Sequence, residues 1–229
     1  MELPTTKVTT TLDYPKAMVL YGATKIGKTT MLSMLENTLI IDTESGTDYV
    51  EALKVKVNNL QELQQVGAAI KNSDHKYYAV AIDTIDRVVE WCENKCLAQY
   101  NKDLNTRFSD IGQIPYGGGY GLVRTEVMSW ISRFKAVTDR LIIIGHRKKS
   151  IIGESSVEVV ATSLDLPGKL RNILSADMDA VGSVLRDDKG NLKISFKTEE
   201  DIEVGSRCKH LRGKLIDFRW DLIYPDLKK

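Results

Sequence analysis

Residues 17–21, Ala-Met-Val-Leu-Tyr, form a short apolar run that stops at a glycine. The next eight residues, Gly22-Ala23-Thr24-Lys25-Ile26-Gly27-Lys28-Thr29, match G-x-x-x-x-G-K-[ST] at every position. At average composition a chain of this length meets that pattern by chance roughly once in a hundred, before the flanking context is required. A buried strand, a glycine-rich turn and a helix in that order commit the chain to an α/β fold. The glycines let backbone N–H groups turn toward phosphate oxygens. The helix expected from Thr29 adds the positive end of its dipole. In this reading Lys28 reaches the β and γ phosphates of ATP, and the Thr29 hydroxyl holds Mg²⁺. The candidate cofactor site runs from Gly22 through Ala23, Thr24, Lys25, Ile26, Gly27, Lys28 and Thr29 to Thr30. Lys25 either adds charge at the phosphates or is a solvated lysine.

The rest of the chain continues the alternation. Apolar runs at residues 38–41, 77–82 and 140–144 read as strands, and residues 58–71 and 86–100 read as helices, with apolar positions at helical spacing. Strands that are apolar throughout, rather than at alternate positions, imply a mainly parallel sheet covered by helices on both faces. Residues 106–121 carry five glycines and one proline; no regular element is expected there, and the next helix is expected over 122–137. Residues 147–155 read as a polar, basic loop. Beyond them, residues 156–163, 180–186 and 192–197 read as extra C-terminal strands, with turns at Pro167-Gly168 and Asp188-Lys189-Gly190. The 229 residues suit one domain, with residues 1–15 as a polar, threonine-rich arm.

Ligands of such sheets bind at the C-terminal ends of the strands, and those ends carry the remaining chemistry. Tyr78-Ala79-Val80-Ala81-Ile82-Asp83 is an apolar strand ending in an acid, so Asp83 is the second candidate Mg²⁺ ligand. Asp86, three residues on, is expected to open the following helix. Leu39-Ile40-Ile41-Asp42-Thr43-Glu44 puts Glu44 where a group that orients an attacking water belongs, with Asp42 bracing the strand end. His146, after the fourth strand, is a candidate sensor of the γ phosphate. Arg207 is a candidate arginine finger acting in trans.

Net charge is +1, so bulk charge does not point to nucleic acid, but its distribution does. From Asn105 to Ser150 eight Lys and Arg face three acids. Arg107, Tyr116, Tyr120, Arg147, Lys148 and Lys149 are the candidate DNA contacts, the tyrosines as stacking platforms along with Phe108. Three cysteines, an odd and sparse count, argue against a disulfide framework. Cys92 and Cys96 read as helix packing rather than a zinc site. No apolar run approaches the roughly 20 residues of a membrane span. The first residues lack the pattern of a signal peptide, so the expected location is the cytoplasm.

Together these residues resemble the RecA-like P-loop ATPases. The likeness is greatest to the phage-encoded nucleotide-binding AAA-domain family, which includes the Sak-type single-strand-annealing recombinases. The matching positions are Gly22–Thr29, Asp42-Thr43-Glu44, Asp83-Thr84 and His146, in the family's order, and the likeness spans residues 17–210. The resemblance implies an ATP hydrolase acting on single-stranded DNA in phage recombination or replication, by annealing or strand pairing, inside the host cytoplasm. It makes a single-strand-binding protein and further copies of the chain candidate partners. Residues 110–120 and 147–155 fall where RecA-like proteins carry their two DNA-contacting loops. The departures are a histidine where RecA has a glutamine sensor, and a short arm in place of a polymerisation domain. A small-molecule kinase, with the basic segment 147–149 as its lid, is the enzymatic alternative. A non-catalytic, ATP-switched module that recruits a replication partner is the other.

Overall fold

The computed structural model describes residues 3, 5–9, 12–152, 159–199 and 202–228. Its strands are β1 (Ala17–Gly22), β2 (Thr38–Asp42), β3 (Leu53–Lys56), β4 (Ala79–Asp83), β5 (Leu141–Ile152), β6 (Val159–Leu164), β7 (Ala180–Arg186), β8 (Leu192–Ser195), β9 (Gly205–Ser206) and β10 (Leu215–Asp217). Its α-helices are α1 (Lys28–Ser33), α2 (Leu60–Asn72), α3 (Ile85–Leu104), α4 (Gly118–Lys135), α5 (Gly168–Asp177) and α6 (Trp220–Ile223).

The main sheet runs β10-β8-β7-β1-β5-β4-β2-β3. Every pairing from β3 to β7 is parallel, and the pairings of β8, β9 and β10 are antiparallel. The expected α/β class, a mainly parallel sheet with helices on both faces and extra C-terminal strands, is therefore what the chain forms. Strands β1, β2 and β4 are buried at every position, which is why their sequences do not alternate. One face of the sheet packs Val19, Tyr21, Val80, Ile82 and Ile143 against α2, α3, α4 and α5. The other packs Leu20, Ile40, Ile142 and Ile144 against α1 and α6, through Met31, Leu32, Trp220 and Ile223.

Register fixes what meets at the C-terminal end. Gly22 lies beside His146, Asp42 beside Asp83, and Asp83 beside Ile144. β5, the strand that carries His146, separates the β1 strand of the P-loop from the β4 strand that ends in Asp83.

Three expectations need correction, and one strand was not expected. The glycine-rich segment does not exclude helix: α4 starts at Gly118 and takes in Gly119, Tyr120 and Gly121. Gly119 packs so closely on the Ile111 carbonyl that no side chain fits between them, so here glycine serves helix packing rather than flexibility. The segment containing Arg147, Lys148 and Lys149 is not a loop. β5 runs through it to Ile152 and pairs antiparallel with β6, Arg147 opposite Leu164 and Lys149 opposite Thr162. The part of the expected loop and strand at residues 153–158 lies outside the described residues. The segment after Pro167-Gly168 is not only a turn: α5 buries Leu170 and Leu174 one turn apart. β3 went unforeseen because its Leu-Lys-Val-Lys is a short edge strand, mostly exposed, with no apolar run to announce it.

Candidate functional site

The P-loop joins β1 to α1 through two residues in the left-handed region, Lys25 at φ 61° and Gly27 at φ 114°. Gly27 tolerates that conformation because it has no Cβ. Along the loop Thr24, Lys25 and Thr30 are exposed, Ala23 and Ile26 half-buried, and Lys28 buried. The Lys28 ammonium donates to the carbonyls of Gly22 at 3.2 Å and Ala23 at 2.9 Å. Burial holds its pKa below the usual lysine value, opposed by the carboxylates of Asp83, Asp86 and Glu44.

Thr29 and Asp83 meet directly: the hydroxyl donates to the carboxylate at 2.6 Å. Burial raises the Asp83 pKa, and the Thr29 hydrogen bond works against that rise. A hydroxyl beside a carboxylate is a donor set suited to Mg²⁺, which takes few protein ligands and completes its shell with phosphates and water.

Asp42 organises the loop that carries Glu44. Its carboxylate accepts the backbone N–H groups of Glu44, Gly46 and Thr47 at 3.0–3.2 Å and the Thr47 hydroxyl at 2.6 Å. Burial penalises its charge, but these hydrogen bonds outweigh the penalty and hold its pKa below the ordinary carboxylate value. The Asp42 role is thus bracing. Glu44 is exposed and accepts the Thr84 hydroxyl at 2.9 Å. Thr84 is itself fixed, its N–H donating to the Thr43 hydroxyl at 2.7 Å. The strand ends of β2 and β4 are in this way stitched together under Glu44.

Asp86 does lie in the first turn of α3, as expected, but it also faces His146. Its carboxylate lies 3.3 Å from His146 Nδ1. Burial raises its pKa, and His146 opposes that rise. Arg147 follows on the hairpin, and its charge disfavours the protonated form of Lys28. Lys148 and Lys149 are exposed, with Lys148 3.7 Å from Asp165.

The structure does not bring the remaining candidates to this cluster. Arg207 follows β9 at the opposite end of the sheet, where it donates to the Ala176 carbonyl at 2.6 Å and to Asp179 at 3.3 Å. Arg107 and Tyr116 belong to the connection from α3 to α4, and Tyr120 to the first turn of α4. Arg107 and Tyr116 are exposed, and Tyr120 is 47% exposed. Phe108 is an anchor, stacked on Tyr100 with ring centroids 6.0 Å apart.

Arg186, at the end of β7, is a residue that sequence reasoning missed. It donates to the Ile26 carbonyl of the P-loop at 3.1 Å and to the Gly190 carbonyl at 2.7 Å. The turn it grips is stiffened by Asp187, whose carboxylate accepts the N–H groups of Lys189 and Asn191 at 3.0 and 2.8 Å. The signal was partial: a strand is expected over residues 180–186, but that it runs parallel beside β1, and so ends at the P-loop, is seen only in the fold.

With the glycine-rich loop, the acidic strand ends and His146 thus placed, residues 14–208 match the AAA domain family. The chain belongs to that family. This AAA domain matches no curated protein. Among solved structures it is similar to one titled "Crystal structure of the RadB recombinase", at 14% identity over 88% of this chain and 86% of that one, with a TM-score of 0.48. No helix among the described residues of the AAA domain is long and apolar enough to cross a membrane.

Proposed function

We propose that the chain is an Mg²⁺-dependent ATP hydrolase that acts on single-stranded DNA, as an annealing or strand-pairing protein of phage recombination or replication. The 2.6 Å contact between Thr29 and Asp83 carries the Mg²⁺ and nucleotide part of this reading, because it joins the hydroxyl of the P-loop to the acid that ends β4. The donors fit ATP: the buried Lys28 cation sits on P-loop carbonyls, poised beside the phosphate path, and Arg186 occupies the Ile26 carbonyl. Mg²⁺, when bound, would neutralise charge on the β and γ phosphates. Thr29 and Asp83 hold it, Lys28 contacts the phosphates, and Glu44 orients the attacking water. His146, braced by Asp86, reads the phosphate end of the site. It passes that state to Arg147 and Lys149 on the hairpin, which contact the DNA backbone with Arg107, Tyr116 and Tyr120. Arg207 serves a neighbouring copy rather than its own site. The resemblance to phage annealing proteins supports the DNA part, and with it the host cytoplasm and a single-strand-binding partner.

The test is ATP turnover with and without an oligothymidylate. Stimulation by the oligonucleotide is expected, with both binding and turnover lost in Lys28→Ala. Turnover indifferent to DNA would overturn the DNA part. Absence of Mg²⁺-dependent ATP binding in the wild type would overturn the whole reading. Arg147→Ala with Lys149→Ala is expected to weaken DNA binding and to reduce its salt slope by about 1.4, at ~0.7 per single-strand phosphate contact.

A further inference from the structure

At the end of the sheet opposite the P-loop, a cleft of about 460 Å³ is lined by Leu12, Tyr14, Lys16, Arg207, Lys209 and Arg212, among others. That volume lies within the ~300–1,000 Å³ range of small-ligand clefts. Its acids are Asp13 and Asp179. Asp179 is already engaged: it accepts the N–H groups of Lys16 and Ala17 at 3.0 and 3.1 Å and pairs with Arg207. Among the described residues, Lys16, Lys209 and Arg212 have no carboxylate within ion-pair distance. The cleft also opens a longer basic stretch, since residues 205–216 hold four Lys and Arg and no acid.

Arg212 is held in place. Its Nε donates to the Ser206 carbonyl at 3.2 Å and its Nη2 to the Arg207 carbonyl at 2.9 Å. Carbonyls fix the guanidinium without cancelling its charge, so its outer edge is pre-organised for a phosphate.

We propose that this cleft is a second nucleic-acid site, which takes the phosphodiester backbone of a single strand on Lys16, Lys209 and Arg212 and seats sugar or base against Leu12 and Tyr14. A protein partner is the poorer fit. Protein interfaces deplete charge at their centre and anchor on buried apolar groups, whereas nucleic-acid interfaces are polar and strongly positive. From Lys209 to Lys214 the exposed side chains are Lys209, Arg212 and Lys214. The cleft lies beyond the N-terminal ends of β1 and β7, so a strand held there leaves the nucleotide site free. The site extends the single-strand reading to an end of the sheet where no DNA contact was expected from sequence.

The experiment is fluorescence anisotropy of a labelled oligothymidylate on the full chain, without nucleotide, across a salt series. Lys16→Ala with Lys209→Ala removes two charges whose side chains make no hydrogen bonds or ion pairs among the described residues, so folding is retained and a thermal melt checks it. Affinity is expected to fall about tenfold or more, and the salt slope by about 1.4, at ~0.7 per phosphate contact. Mg²⁺-ATP binding is expected to stay at the wild-type level. Arg212→Lys, which keeps the charge and loses the fork, is expected to weaken binding less than the double variant. The proposal fails if the double variant binds with wild-type affinity and slope, or if the wild type does not bind the oligonucleotide. It also fails if a glutamate-rich peptide binds the wild type more tightly than the oligonucleotide and is the ligand the variant loses. Wild-type Mg²⁺-ATP binding, measured in parallel, separates these outcomes from failure of the hydrolase reading.

Discussion

The two ends of the parallel strands handle charge in opposite ways. At the C-terminal end, Lys28, Asp42 and Asp83 are buried within one small volume, and each is held by backbone groups or hydroxyls rather than by a tight ion pair. At the N-terminal end the residues just before the strands form a staple. Arg140, before β5, stacks over Tyr14 at 4.2 Å and Tyr78 at 4.1 Å. Its Nη2 donates to Asp226 at 2.8 Å, and Asp226 also accepts the Tyr78 hydroxyl at 3.0 Å. The first end leaves the buried charges of Lys28 and Asp83 incompletely neutralised, which costs stability and suits a polyanionic ligand with its cation. The other neutralises a cation locally and ties the C-terminal segment to the sheet. Substitutions should therefore separate, those in the Lys28–Asp83 cluster altering ligand chemistry and those in the Arg140 staple altering stability, with the basic cleft beside the staple left as a ligand surface of its own.

The largest separation is expected at Glu44. It sits on a loop already braced by Asp42, so Glu44→Gln should leave the fold and ATP binding intact. Turnover should fall by about 10²-fold, the scale of losing a general base. Steady-state hydrolysis and a binding titration check this. Normal turnover in Glu44→Gln, with loss in Asp86→Asn, would move the water-orienting role to Asp86.

At the staple the reverse is expected. Asp226→Ala strands the Arg140 cation and the Tyr78 hydroxyl, at a cost of about 1–2 kcal/mol once the partial exposure of Asp226 is allowed for. At roughly 2–4 °C per kcal/mol for a chain of this size, the melting temperature should drop by several degrees while ATP affinity holds. A drop in ATP affinity of similar scale would mean that the two ends are coupled.

Arg186 sharpens the contrast, because it is exposed like a surface residue yet grips the P-loop. Arg186→Ala should weaken Mg²⁺-ATP binding about tenfold, the equivalent of ~1.4 kcal/mol, within the range for a charged hydrogen bond. Arg186→Lys should recover little, since a lysine does not reproduce the fork onto two carbonyls. Equal affinity in all three proteins would show that the P-loop keeps its shape without this grip.

How much of this was legible in the sequence depends on whether a residue's partner lies nearby in the chain. The P-loop, the Asp42–Glu44 turn and the Asp83 strand end are local patterns, and the parallel order of apolar strands was enough to bring them to one edge. The pairing of Asp86 with His146 was not readable, because it needs β5 to enter beside β4, and no local signal sets that order. Asp86 looked like a helix opener because it is one. The hairpin reads as a loop in the sequence because Arg147, Lys148 and Lys149 lack the apolar run that marks a buried strand, while a two-stranded ribbon reaching out from the sheet needs none. The staple was missed for a similar reason: Tyr14, Tyr78, Arg140 and Asp226 come from four separate segments and belong to no motif.

The smallest effect, and the one that tests the comparison most directly, concerns the cost of the Asp83 charge. Burial raises its folded-state pKa above the ordinary aspartate value. Between those two values the folded chain binds more protons than the unfolded one, so stability falls as pH rises through that window and is flat above it. Asp83→Asn removes the charge and keeps an oxygen that accepts the Thr29 hydroxyl. Without nucleotide, the variant should therefore melt a few degrees higher than the wild type at neutral pH, at about 2–4 °C per kcal/mol. That advantage should shrink toward zero as pH drops below the ordinary carboxylate value, where both proteins are neutral at this position. With Mg²⁺-ATP the order should reverse at neutral pH, because ligand binding stabilises the folded state and the variant lacks the carboxylate proposed to hold the metal. Thermal melts at several pH values, with and without Mg²⁺-ATP, measure all three. A variant that melts lower than the wild type at neutral pH without nucleotide would show that the Thr29 hydrogen bond outweighs the buried charge. The phosphate end would then be a stabilised cluster like the staple, and the contrast between the two ends would collapse.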